Sequence, residues 1–200
     1  RGLTGGLVLN IIRTAVRESR EAFGDDPAWV AIGRKGRDFL ARQGADLLAE
    51  FTNMPDKPSV LDITPVARLV RDGFLGADFS EVRICYAHFE SVVNQTIRFS
   101  PLLPIEIPEH VEPVQAEFDF EPSPEAVLDE VLERLLEMRL YQALLEAQGS
   151  EHSARMVAMR NASEAAEELV DDLTRTFNKA RQAEITAEIL DIAGRAGALS

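Results

Sequence analysis

EAVLDEVLERLLEMRLYQALLEAQGSEHSARMVAMRNASEAAEELVDDLTRTFNKARQAEITAEILDIA, residues 125–193, contains no proline and a single glycine, Gly149. Proline removes a helix donor and glycine costs helix entropy, so their near absence over 69 residues leaves nothing to stop a helix. At ~1.5 Å per residue that helix would run to about 100 Å, much longer than a small domain is wide. It either breaks near Gly149 and folds back, or it continues as a rod. Spacing favours the rod. Met159, Ala162, Ala166, Leu169, Leu173, Phe177, Ala180, Ala183, Ala187 and Leu190 advance in steps of three and four, a narrow coiled-coil seam. Its alanines would let a partner helix approach closely while burying little area each. No other stretch of the chain offers a matching long helix, so the partner is expected from a missing N-terminal segment or another protein.

Upstream of this helix the sequence changes character. Gly5–Phe23 carries apolar residues at helical spacing (Leu7, Ile11, Ile12, Ala15, Val16). Pro27–Gly33 is a short apolar run that suggests a buried strand. A helix is expected around Arg37–Arg42, ended by Gly44. Asp46–Thr52 suits a strand, although its pattern is also compatible with helix. Asp62–Phe74 is helical, with Asp62 or Thr64 as cap and Pro65 in the first turn. Glu81–Phe89 and Val92–Leu103 alternate β-branched and aromatic residues across a brief gap, the pattern of an antiparallel hairpin. Pro101, Pro104, Pro108 and Pro113 mark residues 101–115 as a loop or linker, and Ala116–Phe120 could add an edge strand. The expected architecture is α/β: a small Rossmann-like domain over residues 1–121, lacking its first strand, followed over residues 122–200 by one very long C-terminal helix. That helix would be half of an antiparallel coiled coil.

Charge and chemistry narrow the function. With 34 acidic and 21 basic residues the net charge is −13, the wrong sign for a surface that tracks nucleic-acid phosphates. One cysteine, Cys85, excludes an internal disulfide and fits a reducing compartment. No run approaches the ~18 apolar residues of a membrane span, and no signal peptide is evident. Arg1 opens directly on Gly-rich turn chemistry with no strand before it, which is expected of an N-terminally truncated chain. RGLTGG could cradle a phosphate at a helix start, but it satisfies neither the dinucleotide fingerprint nor the P-loop pattern; a tight turn accounts for it. His88, His110 and His152 have no metal-ligand spacing, so no metal or cofactor is expected. Cys85, within VRICYAHF, reads as a small core residue. The carboxylates of 125–191 read as a solvated helix face with i, i+4 pairs such as Glu130–Arg134 and Asp171–Arg175, and no acid–base dyad stands out. The cations of the last third (Arg155, Arg160, Arg175, Lys179, Arg181 and Arg195) are either solubilising charges or forks that grip acidic loops of a surrounding partner.

Two stretches of the long helix, SEHSARMVAMRNAS (150–163) and FNKARQAEITAEILDI (177–192), resemble the C-terminal helix of ATP synthase gamma subunits. RGLTGGL (1–7) is similar to that family's turn after the first strand of its middle domain, and FDFEPSPEAVL (118–128) to its entry into the helix. The departures are Val8 and Ala165, where Asn is common, and Arg195, where a small residue is usual. The resemblance implies a non-catalytic central-stalk rotor on the cytoplasmic face of a bacterial membrane. Its partners would be the alpha and beta subunits, the epsilon subunit, the c-ring and the missing N-terminal helix of the same subunit. It implies that Arg155, Arg181, Gln182, Thr186 and Glu188 contact the beta subunits in coupling, and that Phe118, Phe120 and Glu121 lie near the c-ring and epsilon. A Rossmann-like nucleotide-binding enzyme with a helical arm, or a coiled-coil adaptor, are the alternatives.

Overall fold

The computed structural model describes residues 2–24, 27–105, 121 and 123–197, with side chains as far as residue 192. In chain order the elements are α1 (Leu7–Phe23), β1 (Trp29–Ile32), α2 (Arg34–Gln43), β2 (Leu47–Phe51), α3 (Val60–Leu75), β3 (Val82–Phe89), β4 (Gln95–Leu103) and α4 (Pro124–Gly197). The chain divides into two compact units, Arg1–Met156 and Val157–Ser200.

In the first unit β1 and β2 pair in parallel, with Val30 opposite Ala49 and Ile32 opposite Phe51. α2 makes the crossover that parallel strands require. Gly44 ends α2 in the left-handed region at φ 69°, where its amide reaches the Ala41 carbonyl and the Ala45 amide that of Leu40. β3 and β4 form the anticipated antiparallel hairpin, with Cys85 opposite Phe99 and Ala87 opposite Ile97. Pro101 does not open a loop: it lies inside β4, opposite Arg83 and next to a register shift. A residue without an amide donor is tolerated at such an irregularity.

α3 begins earlier than its sequence suggests. Ser59 is the cap, and Asp62, expected to cap, is the third helical residue of a capping box: its carboxylate accepts from the Ser59 amide at 2.7 Å. Pro65 consequently sits inside the helix rather than in its first turn. The buried core joins Ile63, Val66, Ala67 and Val70 of α3 to Leu102 and Leu103 of β4 and to Leu136 and Leu140 of α4. The opening stretch of the long helix is therefore part of the α/β core. α4 runs unbroken through Gly149, where a Cβ would meet the Phe89 ring in ordinary contact at 3.9 Å. The edge strand expected over Ala116–Phe120 lies outside the described residues.

Candidate functional site: the long helix

α4 presents two environments. Between residues 136 and 155 its side chains reach into the α/β unit. Leu136, Leu140 and Ala143 are buried. Tyr141 Oη donates to the Pro58 carbonyl at 3.1 Å and Gln148 Nε2 to the Pro55 carbonyl at 3.2 Å. Ser150, fully buried, donates its hydroxyl to the Ala87 carbonyl at 3.1 Å. Glu146 pairs with His88 Nδ1 across two half-buried side chains. Burial alone would raise the Glu146 pKa, but hydrogen bonds from His88 and Gln142, with the charges of His88 and Arg98, outweigh it and hold the carboxyl below its usual range.

From Met159 to Ile192, by contrast, every residue is exposed. The seam residues Leu173 and Phe177 keep 60% and 65% of their surface in solvent. The seam read from sequence is not the whole of the apolar surface. Ile185, Ile189 and Ile192, also exposed, recur at i, i+4 and i+7. At about 100° per residue they fall on roughly the opposite side from the alanine-rich seam. Sequence reasoning passed over them because attention to one continuous ridge hides a short second one; the spacing was there to be counted.

The residues singled out from sequence are distributed as follows. Arg181, Gln182, Thr186 and Glu188 are all exposed on the second unit, and Thr186 Oγ1 donates to the Gln182 carbonyl at 2.8 Å. Arg155 lies in the first unit, where it is half-buried, paired with Glu151 and within 3.3 Å of the Gly2 carbonyl. It steadies the Gly-rich turn in this chain. Glu121 is exposed, while Phe118 and Phe120 lie outside the described residues. The expected i, i+4 ion pairs are replaced by i, i+3 pairs: Arg134 bonds Glu137 at 3.0 Å, and Arg175 lies 3.7 Å from Asp172. Glu137 is buried and Glu130 is not, so Arg134 goes to the carboxylate with the greater need of a partner.

Other chemistry-bearing residues are accounted for locally. Cys85 is half-buried, its thiol 3.8 Å from the Ile11 carbonyl. Burial, with a smaller contribution from Glu18, pushes its pKa up to about 11. A thiol held protonated is a poor nucleophile. Thr4, buried in the Gly-rich turn, and the positive-φ residues Leu3 (65°) and Gly5 (57°) show that RGLTGG forms a tight entry into α1. Among the described residues no His, Cys, Asp and Glu group could hold a metal ion, and no helix is long and apolar enough to cross a membrane.

A long helix with its apolar stripes uncovered, carried on a small α/β unit, is matched closely among known proteins. A family model described as ATP synthase covers residues 1–199. The ATP synthase gamma chain of Roseiflexus sp. (strain RS-1) is 45% identical over 202 residues, covering 100% of this chain and 70% of that one. The chain belongs to the ATP synthase gamma-chain family. The gamma chain of Moorella thermoacetica is 43% identical over 199 residues with the same coverage. Among solved structures, the central stalk and c-ring assembly of Tetrahymena thermophila mitochondrial ATP synthase matches with TM-score 0.61 and 26% identity, over 82% of this chain and 72% of that one. The Euglena gracilis mitochondrial enzyme, in rotational state 3, matches with TM-score 0.69 over the whole of this chain and 69% of that one; at 19% identity it supports the fold alone. As a gamma chain, the protein is a central-stalk rotor subunit of the membrane-associated ATP synthase, and not a catalytic one.

Proposed function

We propose that this gamma chain couples proton flow through the membrane sector to conformational cycling of the catalytic beta subunits, acting as the asymmetric axle inside a hexamer of alpha and beta subunits. The observation that carries this reading is the fully exposed stretch from Met159 to Ile192, with an apolar seam along its length and a second apolar ridge on the opposite side over Ile185, Ile189 and Ile192. Two uncovered apolar stripes on one helix call for cover on both sides. One cover is a second helix of the same subunit, from the part of the longer gamma chains that these 200 residues do not span. The alanine-rich seam suits that close approach. The other cover is the inner wall of the hexamer. An axle whose faces differ biases each beta subunit toward a different conformation, because a contact made in one state and not another shifts the population between them.

Within this frame Arg181, Gln182, Thr186 and Glu188 form a polar patch for the beta subunits, with Arg155 closer to the α/β unit. Arg181 offers a planar fork for a beta-subunit carboxylate. Phe118, Phe120 and Glu121 would serve the c-ring and epsilon contact at the other end of a functional division into a middle domain, 1–121, and a shaft, 122–200. The complex would stand on the cytoplasmic face of a bacterial membrane. Reconstitution tests this. Full-length subunit added to purified alpha and beta subunits is expected to restore a stable, rotating ATPase assembly, and Arg181→Ala with Gln182→Ala to lower turnover. No gain in assembly would overturn the rotor reading, and unchanged turnover in the double variant would remove that patch from it.

A further inference from the structure

A helix that carries torque into the body on which it is packed must not roll there. The hydrophobic force that drives apolar packing is non-directional; hydrogen bonds add a fixed angle. The buried stripe of α4 consists of Leu136, Leu140 and Ala143. At about 100° per residue, Glu146 and Ser150 fall on one side of that stripe, and Tyr141 and Gln148 on the other.

The two flanks hold different parts of the α/β unit. On the first, Ser150 Oγ donates to the Ala87 carbonyl at 3.1 Å and Glu146 pairs with His88, so both bonds end on consecutive residues of β3. On the second, Tyr141 Oη and Gln148 Nε2 donate to the Pro58 and Pro55 carbonyls at 3.1 and 3.2 Å. Both of those acceptors lie in the connection between β2 and α3, and each belongs to a proline whose ring fixes φ, which makes it a stiff anchor. Rolling α4 one way lifts the first flank off β3 and presses the second onto the proline connection. Rolling it the other way exchanges the two.

We propose that these flanks form a two-way rotational lock, in which the bonds to β3 carry load in one sense of rotation and the bonds to the proline connection carry it in the other. Ser150, Glu146, Tyr141 and Gln148 are thus positioning residues for torque transfer, and the assignment rests on the rotor reading above. One flank then serves ATP-driven rotation and the opposite flank serves synthesis.

The test uses the assembled alpha, beta and full-length gamma subunits, with a bead attached through Lys35→Cys, an exposed position on α2. The half-buried native Cys85 is replaced by serine (Cys85→Ser) so that it does not compete for the label. External torque is applied to the bead in each sense while the hexamer is held still. Ser150→Ala with Glu146→Leu is expected to soften the angular response in one sense only, and Tyr141→Phe with Gln148→Leu in the opposite sense only, each with ATP hydrolysis unchanged. Losing one net hydrogen bond corresponds to an about fivefold rise in the unlocked population. Unchanged stiffness, or equal softening in both senses for both pairs, would overturn the lock while leaving the rotor reading intact. Tyr141→Phe alone, which removes one oxygen atom, supplies the measurement if a double variant does not assemble. A wild-type assembly that fails to rotate would overturn the rotor reading, and the lock with it.

Discussion

Two stretches of one helix, similar in composition, stand in opposite environments. Residues 136–150 bury Leu136, Leu140 and Ala143 and tie their polar neighbours to two separate parts of the α/β unit, β3 and the connection between β2 and α3. Residues 159–192 bury nothing, although Leu169, Leu173 and Phe177 are as apolar as anything upstream. Helical propensity alone does not hold a long helix firmly in water; packing of an apolar face does most of that work. The first stretch is therefore stabilised within this chain, and the second is built for stabilisation by partners. In a rotor these are the two ends of a transmission: one end is gripped by its own domain, and the other is left bare for what it must turn against.

The contrast is broken most directly by truncating one leucine in each stretch. Leu140→Ala removes a buried side chain from the joint core of α3, β4 and α4, and is expected to cost about 2–5 kcal/mol. Leu173→Ala removes an exposed one and is expected to change the stability of the chain by less than about 0.5 kcal/mol. Urea unfolding followed by the fluorescence of Trp29, the single tryptophan and a residue of β1, reads the first unit. If the two variants shifted the midpoint equally, the division drawn here would fail. On the axle reading proposed above, the exposed leucine should matter in the assembled enzyme.

How far this division was legible in the sequence depends on which force sets each feature. The element order, the hairpin and the unbroken long helix follow from periodicity and from the placement of proline and glycine, which are local properties. The capping residue of α3 was misplaced because Ser59 and Asp62 are both good caps. Only the reciprocal pair, with the Asp62 carboxylate reaching back to the Ser59 amide, shows which residue starts the helix. Gly149 looked like a possible break because isolated glycine weakens helices. What helix spacing could not disclose is that Phe89 lies against it and that the next residue is anchored to β3. The ion-pair partner of Arg134 was also beyond reach, because the choice of Glu137 over Glu130 goes with burial of the carboxylate; for Arg175, whose neighbours Asp171 and Asp172 are both exposed, nothing in the structure explains the choice. Of the candidate contact residues, exposure on a long helix could be anticipated; the anchoring of Arg155 to the Gly2 carbonyl depends on residues 153 positions apart in the chain.

A smaller effect sharpens the same contrast from its polar side. Ser150→Ala deletes a hydroxyl that is fully buried and bonded to Ala87, and is expected to cost about 1 kcal/mol in the same urea measurement. A null result would place the hold on α4 in apolar packing alone. Glu146 adds a pH signature. Its folded pKa is held below the ordinary carboxylate value, so the folded state favours the ionised form. The corresponding stabilisation is fully present above the unfolded pKa and is lost as pH falls through the folded one. Glu146→Gln should therefore flatten the pH dependence of stability in the acidic range and leave its shape near pH 7 unchanged. An unaltered acid limb would mean that the pair with His88 does not distinguish the folded from the unfolded chain.

The smallest expected effect belongs to the bare stretch, and its smallness is informative. Arg160 bonds Glu164 at 3.0 Å, with both side chains largely in water. Exposed i, i+4 pairs are worth about 0.3–0.5 kcal/mol and are screened by salt. Arg160→Ala should leave the urea midpoint of the first unit unmoved, because no buried group loses a partner. Far-ultraviolet circular dichroism should record at most a slight loss of helix, removed by added salt. A loss of stability as large as that of Ser150→Ala would mean that the stretch beyond Met156 is held by contacts within this chain. The exposed apolar stripes would then need an owner other than the partners of a rotor.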